Sequence, residues 1–414
     1  MTLKILEQAN IAAKKGNWSL LNQYLGQMVE RENSAELKAA NEWQQVLNFA
    51  LEILEYGDFQ ERWEVAKLFP SLGTIAIAPL IAILKDEEAQ ENVRWFVARI
   101  LGEFDRPEVI TALVEILQNS ESEELSTIAS EALTNLGRSA IAALTELLAN
   151  EETRLLAVRS LSAIRRQDII PPLLTVISDP QPLIRATAIE ALASFDDPRI
   201  PPVFLHALKD IAAPVRREAV IGLGLHRDLQ AELDLVEKII PLLWDFNIDV
   251  CAAAAHALAR LGTDAAADAL FQVLRSPATP LSLQLQCVRS LWWMETKKAL
   301  LYLQAALNCE STAIYQEIVT VLGRIENPNL APIATEILIE ALQSGHPAIQ
   351  NTRIRQAIAI SLGQLNQPQA IDSLIYILED VDLGVRLHAI AALKKFPNSV
   401  GKWELLASGE KLLF

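Results

Sequence analysis

Cys251, Cys287 and Cys309 are the only cysteines in 414 residues. Thiolates could ligate an iron–sulfur cluster, which ordinarily takes four Cys or His in place of some of them. Three thiols fall short of that set, so a cluster held here would be shared with a partner protein or across a dimer. The alternative is two buried small hydrophobes and one surface thiol, the common state of free cysteine. Trp63 and Trp95 form a second group, each one residue past an arginine (Arg62, Arg94), with Phe96 and Arg99 close by. Aromatic rings beside guanidinium groups have the composition of an interface hot spot. Packed beneath an N-terminal cap, the same rings would be structural. Trp292 and Trp293, with Trp244, Cys251, His256 and Cys287, mark residues 244–315 as a second candidate surface, suited to a flat apolar ligand or explained by packing variation alone. The five histidines, at 206, 226, 256, 346 and 388, never fall close enough in sequence to suggest a metal pair. No H-E-x-x-H, Walker loop, Gly-rich dinucleotide turn or G-x-S-x-G elbow occurs. No residue is therefore assigned a catalytic role, and the chain reads as a binding protein rather than an enzyme.

These residues sit in a repeated frame. With Arg386 of "LGVRLHAIAALKKF" as a zero position, the same register recurs at Arg62, Arg94, Ser126, Arg154, Arg185, Arg216, Cys251, Gln284, Tyr315 and Arg355, mostly about 31 residues apart. A fixed period of that length indicates a solenoid. Seven positions on stands Phe69 or a leucine in every copy, and three further on ten of eleven residues are apolar. Spacings of three and four place them on one helical face, so each copy contains an amphipathic second helix. A first helix precedes it, clearest in "IAPLIAILKD", "IIPPLLTVISD", "IPPVFLHALKD" and "IDSLIYILED". Pro79, Pro171, Pro172, Pro201 and Pro202 fall in its first turn, where a missing N–H costs nothing. The third position after the zero is mostly Ala, and the eighth is mostly Gly, Ala or Ser, letting neighbouring helices approach to about 8–10 Å. Trp292 breaks that eighth row, where a large ring must widen the stack or swing outward.

The resulting expectation is an all-α, right-handed α-solenoid of about eleven helical hairpins. Residues 1–40 fall outside the register and read as an N-terminal helical cap, two helices joined at "KKGNW"; residues 41–396 form the solenoid, and 397–414, with Trp403, a C-terminal tail. The interval from Tyr315 to Arg355 lengthens to 40, with "QSGHPAIQNTRIR" as the inserted turn. A net charge of −16 argues against a nucleic-acid partner, whose phosphates demand Lys and Arg. It favours basic or mixed-charge protein surfaces. No apolar run reaches the roughly 18 residues of a transmembrane segment. The N-terminus lacks a secretory signal, and scattered cysteines suit a reducing compartment. The expected location is the cytoplasm.

"DPQPLIRATAIEALASFDDPRIPP" and "DVDLGVRLHAIAALKKFPN" resemble the HEAT-like repeat first described in phycobilin lyases, whose pattern is an Asp, then Val-Arg, then Ala-x-x-Ala-Leu, then a small residue and an aspartate-proline turn. The resemblance covers roughly residues 60–396. It implies stacked hairpins in which the zero-position arginine pairs with an aspartate in the turn before its own helix, with Asp86, Asp179, Asp210 and Asp380 as candidates. It further implies that the second helices line a concave wall. Relatives include bilin lyase subunits, phycobilisome-degradation factors and a cyanobacterial HEAT-repeat partner of an A-type iron–sulfur carrier. The leading functional expectation is a scaffold that grips a partner protein on its concave face through Trp63, Trp95, Phe96 and Arg99 at one end and Trp292 and Trp293 at the other. The resemblance adds two alternatives. One is a bilin lyase-like or bilin-detaching protein acting on a phycobiliprotein, with a bilin as ligand. The other is an iron–sulfur assembly partner of an A-type carrier, with Cys251, Cys287 and Cys309 as the metal residues.

Overall fold

A computed structural model describes residues 2–32 and 40–396 of the chain; the expected tail at 397–414 lies outside them. The described residues are helical, with turns between the helices and no strand. They divide into two compact units, residues 1–195 and 196–414. Each is a stack of helical hairpins, so the all-α solenoid expected from the period is what the chain forms.

In the first unit, helices Thr2–Lys14 and Trp18–Glu32 come first, and then Ala40–Tyr56. Five second helices follow, at Phe59–Ala66, Glu91–Leu101, Glu123–Leu136, Glu151–Ile164 and Pro182–Leu192. Each packs on the next as one layer, while first helices such as Ile77–Lys85 and Pro107–Asn119 form the other. The second unit repeats the plan with second helices Ala213–Leu225, Ile248–Leu261, Leu281–Trp293, Thr312–Leu322, Thr352–Leu365 and Leu383–Leu393.

The register explains the core. All eleven residues seven positions after the zero, from Phe69 to Leu393, are fully buried, as are the alanines at the third position (Ala129, Ala157, Ala188, Ala219, Ala254, Ala389). The two rows lie one turn apart on the second helix and face both layers. The eighth row sets helix spacing. A Cβ added to Gly102 would lie 2.9 Å from the Ala132 Cα, and one on Gly363 2.5 Å from the Ala392 Cβ. In both cases the contact is the sixth position of the next repeat, so a side chain there must displace a neighbouring helix.

The arginine row works differently from its expected form. Arg154, Arg185, Arg216, Arg355 and Arg386 each donate to the carbonyl six residues earlier, at 2.7–2.9 Å. Those carbonyls belong to the end of the first helix or to the turn, where no intrahelical N–H is left to meet them. The carboxylate partner comes from the following repeat. Arg154 reaches Asp179 at 2.8 Å, Arg216 grips both oxygens of Asp245 at 2.7 Å, and Arg355 reaches Asp380 at 2.6 Å. The pairing expected within one turn is thus replaced by one between repeats, and Asp245 joins the set. Asp86 instead accepts the Glu88 backbone N–H. Each turn aspartate caps its own turn the same way, Asp179 to Gln181, Asp245 to Asn247 and Asp380 to Asp382. Where arginine is absent the donor role persists: Cys251 Sγ donates to the Asp245 carbonyl at 3.1 Å, six residues back, and Gln284 to that of Ser276. Tyr315 turns the other way, its hydroxyl donating to Ala341, with His346 of the inserted segment stacked on its ring at 5.0 Å.

Candidate protein-binding surfaces

The aromatic surface of the first unit begins with a helix cap. Asp58 accepts the Glu61 N–H at 2.8 Å and Glu61 returns a bond to the Asp58 N–H at 2.9 Å, a reciprocal pair that starts helix Phe59–Ala66 and puts Phe59 in its first turn. Phe59 and Trp63, four residues apart, share one helix face and stack with centroids 6.2 Å apart. Between them Arg62 turns inward, buried, and donates to the Glu55 carbonyl at 2.9 Å. The next second helix supplies Trp95, Phe96 and Arg99. Phe96 packs against Phe59 at 5.3 Å and edge-on to Trp95 at 5.2 Å, and the Arg99 guanidinium lies 4.4 Å above the Trp63 ring.

Phe59 thus links Trp63 to Phe96 and, through it, to Trp95, a role no expectation gave it. It is 65% exposed, while Trp63 and Trp95 are half-buried and Arg99 is exposed. Phe96 differs from the other rings in burial. At 1% exposure it backs the surface from beneath. The N-terminal helices attach elsewhere, through a Trp18–Tyr56 stack at 5.9 Å and a bond from Asn22 to the Glu61 carbonyl.

In the second unit, Trp292 is half-buried and Trp293 is 55% exposed, the rings meeting edge to face at 6.1 Å. The Trp292 indole N–H is buried without a hydrogen-bond partner. His256, one helix away, lies 6.3 Å from Trp293 and accepts from Arg260 Nε at 3.3 Å. Burial first, and the neighbouring Arg260 charge second, hold its imidazole below the ordinary histidine range. His256 is therefore a neutral acceptor near pH 7. Trp244 and Phe246 are exposed, as are Ile211 and Val381, which occupy the turn position of Phe246 in other repeats. The other repeats place smaller or polar residues at that turn position.

The cysteines do not form a ligand set. Cys251 and Cys287 are buried in adjacent second helices, whereas Cys309 is partly exposed beyond helix Lys297–Ala306, its Sγ 3.7 Å from the Ser311 carbonyl. Burial, and then the nearby Cys251, push the Cys287 thiol up to about 12. Burial raises Cys251 and Cys309 as well. Among the described residues no three His, Cys, Asp or Glu side chains converge to hold a metal ion. Stacking leaves Cys251 and Cys287 within the core and Cys309 partly exposed outside it. No single described helix is long and apolar enough to cross a membrane.

Comparison with known proteins agrees with this geometry. The HEAT-repeat profile matches residues 47–134, 77–153, 141–224 and 201–281, and a PBS lyase HEAT-like repeat matches residues 354–380. No curated protein matches the sequence. Among solved structures, Kap121p bound to Nup53p is 16% identical with a TM-score of 0.59, covering 98% of this chain and 50% of its own. Importin beta is 15% identical with a TM-score of 0.54, covering 97% of this chain and 61% of its own. An engineered protein is 19% identical, with a TM-score of 0.38 over 77% of this chain and 98% of its own. At these identities the likeness concerns the fold, and the chain spans about half the length of Kap121p. With the profile matching more than half its residues, and each repeat carrying the buried rows described above, the chain belongs to the HEAT-repeat family, with a repeat of the phycobilin-lyase type near its C-terminal end.

Proposed function

We propose that this chain is a protein-binding scaffold whose second-helix face in the first unit contacts a partner protein. The observation that carries the reading is the cluster of Phe59, Trp63, Trp95 and Arg99: exposed or half-exposed aromatic rings, one topped by a guanidinium, on a rigid helical layer backed by buried Phe96. Rings held this way lose little conformational entropy on binding, and aromatic and arginine residues dominate interface energetics. Trp293 with His256 offers a second contact in the other unit. Solenoids supply extended surfaces for such use. Capture of partners from the native cell extract by the full chain, against a Trp63→Ala/Trp95→Ala variant, tests it. Loss of a specific partner in the variant is the expected result; an unchanged set of partners would remove these residues from the interface.

A second reading, action on a phycobiliprotein, draws on the PBS lyase HEAT-like repeat at residues 354–380. Mixing the protein with phycocyanobilin should then shift the visible absorption, and Trp292→Ala should abolish the shift. An unshifted spectrum would exclude it.

A further inference from the structure

A shallow groove runs along the aromatic surface of the first unit, lined by Phe59, Glu91, Asn92, Trp95, Phe96 and Glu124. Three of its lining residues are aromatic and two are carboxylates. Glu91 stands in the first turn of Glu91–Leu101 and Glu124 in that of Glu123–Leu136, so consecutive repeats bring their carboxylates to the groove that Trp95 lines. Ser122, the cap of the second of these helices, donates to Glu91 Oε1 and fixes that side chain. Glu124 has no ion-pair partner among the described residues, and neither does Glu91. The basic groups nearby are engaged elsewhere: Lys85 with Glu115, Arg94 with the Leu84 carbonyl, and Arg99 over Trp63.

The charge of this stretch points the same way. Residues 81–131 carry twelve Asp and Glu against four Lys and Arg, half of the whole chain's net charge of −16. An exposed apolar groove in so negative a field repels acidic segments and attracts basic ones. Arg99, 4.4 Å above the Trp63 ring centroid, shows that the aromatic layer accepts a cation over a ring face.

From this we infer that the groove takes a lysine or arginine side chain from an extended basic segment of the partner protein, with the alkyl stem against Trp95 and Phe59 and the charged head between Glu91 and Glu124. The inference rests on the reading of this surface as protein-binding and names the chemistry of what it binds. A cation over an exposed ring gains about 0.5–1 kcal/mol, and more once desolvated. The two carboxylates add charge-assisted hydrogen bonds to its head.

The test uses the full chain and a fluorescein-labelled octapeptide of alternating lysine and glycine, followed by anisotropy at about 50 mM and about 150 mM salt, since exposed charge attraction is screened over that range. Trp95→Ala, which leaves the charge intact, and Glu124→Gln, which leaves the ring intact, should each weaken binding about 5-fold or more. Trp95→Phe should keep most of it. Acetylating the peptide lysines should weaken it about 10-fold or more, and Glu151→Gln, on another repeat, should leave it unchanged. Thermal melting of each variant separates lost binding from lost folding. Equal binding by Trp95→Ala and wild type, or equal losses from Glu124→Gln and Glu151→Gln, would reduce the attraction to a diffuse one and overturn the inference, as would absence of binding because this chain's own lysines fill the groove. If Trp63→Ala/Trp95→Ala releases a captured partner while the basic peptide never binds, the scaffold reading stands and this one falls.

Discussion

The Arg216–Asp245 pair shows what a single side chain contributes to this fold. Both partners are mostly shielded from solvent, the contact is bidentate, and the same arginine satisfies the Asp210 and Ile211 carbonyls. Shielding lifts such a pair above the 0–1 kcal/mol typical of surface ion pairs; Asp245→Asn should cost about 1–3 kcal/mol of stability near neutral pH. The Arg216 hydrogen bond, against the opposing effect of burial, holds the Asp245 carboxyl below its usual range. A depressed carboxyl stabilises the fold above its unfolded value, about 4, and loses that contribution as pH falls through its folded value. The difference in melting temperature between wild type and Asp245→Asn should therefore be full at pH 7 and shrink below about pH 4. A difference that stayed constant down to acid would deny the charge its role. Thiol reactivity is set by burial at the same scale. A thiol reagent applied to the native protein should modify Cys309 first and Cys287 last, by about 100-fold or more, since Cys287 needs both opening of the core and loss of a proton held up to about 12. Comparable rates at the two sites would mean that the core around Cys287 opens freely. Asp245 was illegible in the sequence because the period aligns residues within a repeat and says nothing about which carboxylate the neighbouring repeat brings into reach. Phe59 was missed because the register was counted forward from Arg62, although its spacing of four from Trp63 placed both on one face.

At the scale of the helix pair, the sequence was more transparent. The rows at the third, seventh and eighth positions are dictated by stacking itself, so they recur and can be read off; every residue of the first two rows named above is fully buried. The eighth row gives the sharpest test. Gly363→Ala would put a methyl 2.5 Å from the Ala392 Cβ and 2.9 Å from its Cα, inside any real contact distance. Forcing helices Thr352–Leu365 and Leu383–Leu393 apart should cost about 1–3 kcal/mol. Adding Ala392→Gly removes the closer atom but not the Cα, so the double variant should recover part of the loss. Chemical denaturation of the four proteins measures it, and strictly additive losses would show that the two residues do not meet. Gly73, at φ +70° with open space around it, is the contrasting case: substitution there strains the backbone and touches nothing. Where the row is broken, the consequence was only half legible. Trp292 had to strain the stack or leave it; its ring is half-buried with an orphaned N–H and meets Trp293 edge to face.

Over the whole molecule, what matters is that packing is made between sequence neighbours. Within residues 196–414 each second helix meets the one before and the one after, Ala213–Leu225 with Ile248–Leu261 and so on to Leu383–Leu393. Stability in such a stack is close to a sum of repeat terms and nearest-neighbour terms, so damage at one interface weakens the adjoining repeats and fades with distance. The capping of each turn aspartate by its own backbone, and the arginine bond to the carbonyl six residues back, are internal to a repeat and survive the loss of a neighbour. The bonds from Arg216 to Asp245 and from Arg355 to Asp380 cross between repeats and do not. Hydrogen exchange on the intact chain reads this directly. With Gly363→Ala, amides in Thr352–Leu365 and Leu383–Leu393 should exchange about 5-fold to 100-fold faster, in line with a loss of about 1–3 kcal/mol. Thr312–Leu322, which packs on Thr352–Leu365, should follow by a smaller factor. Ala213–Leu225, three second helices further along the same unit, should exchange as in wild type. Uniform acceleration from residue 213 to 393 would instead make the unit a single cooperative core, in which damage does not fade with distance from the altered interface.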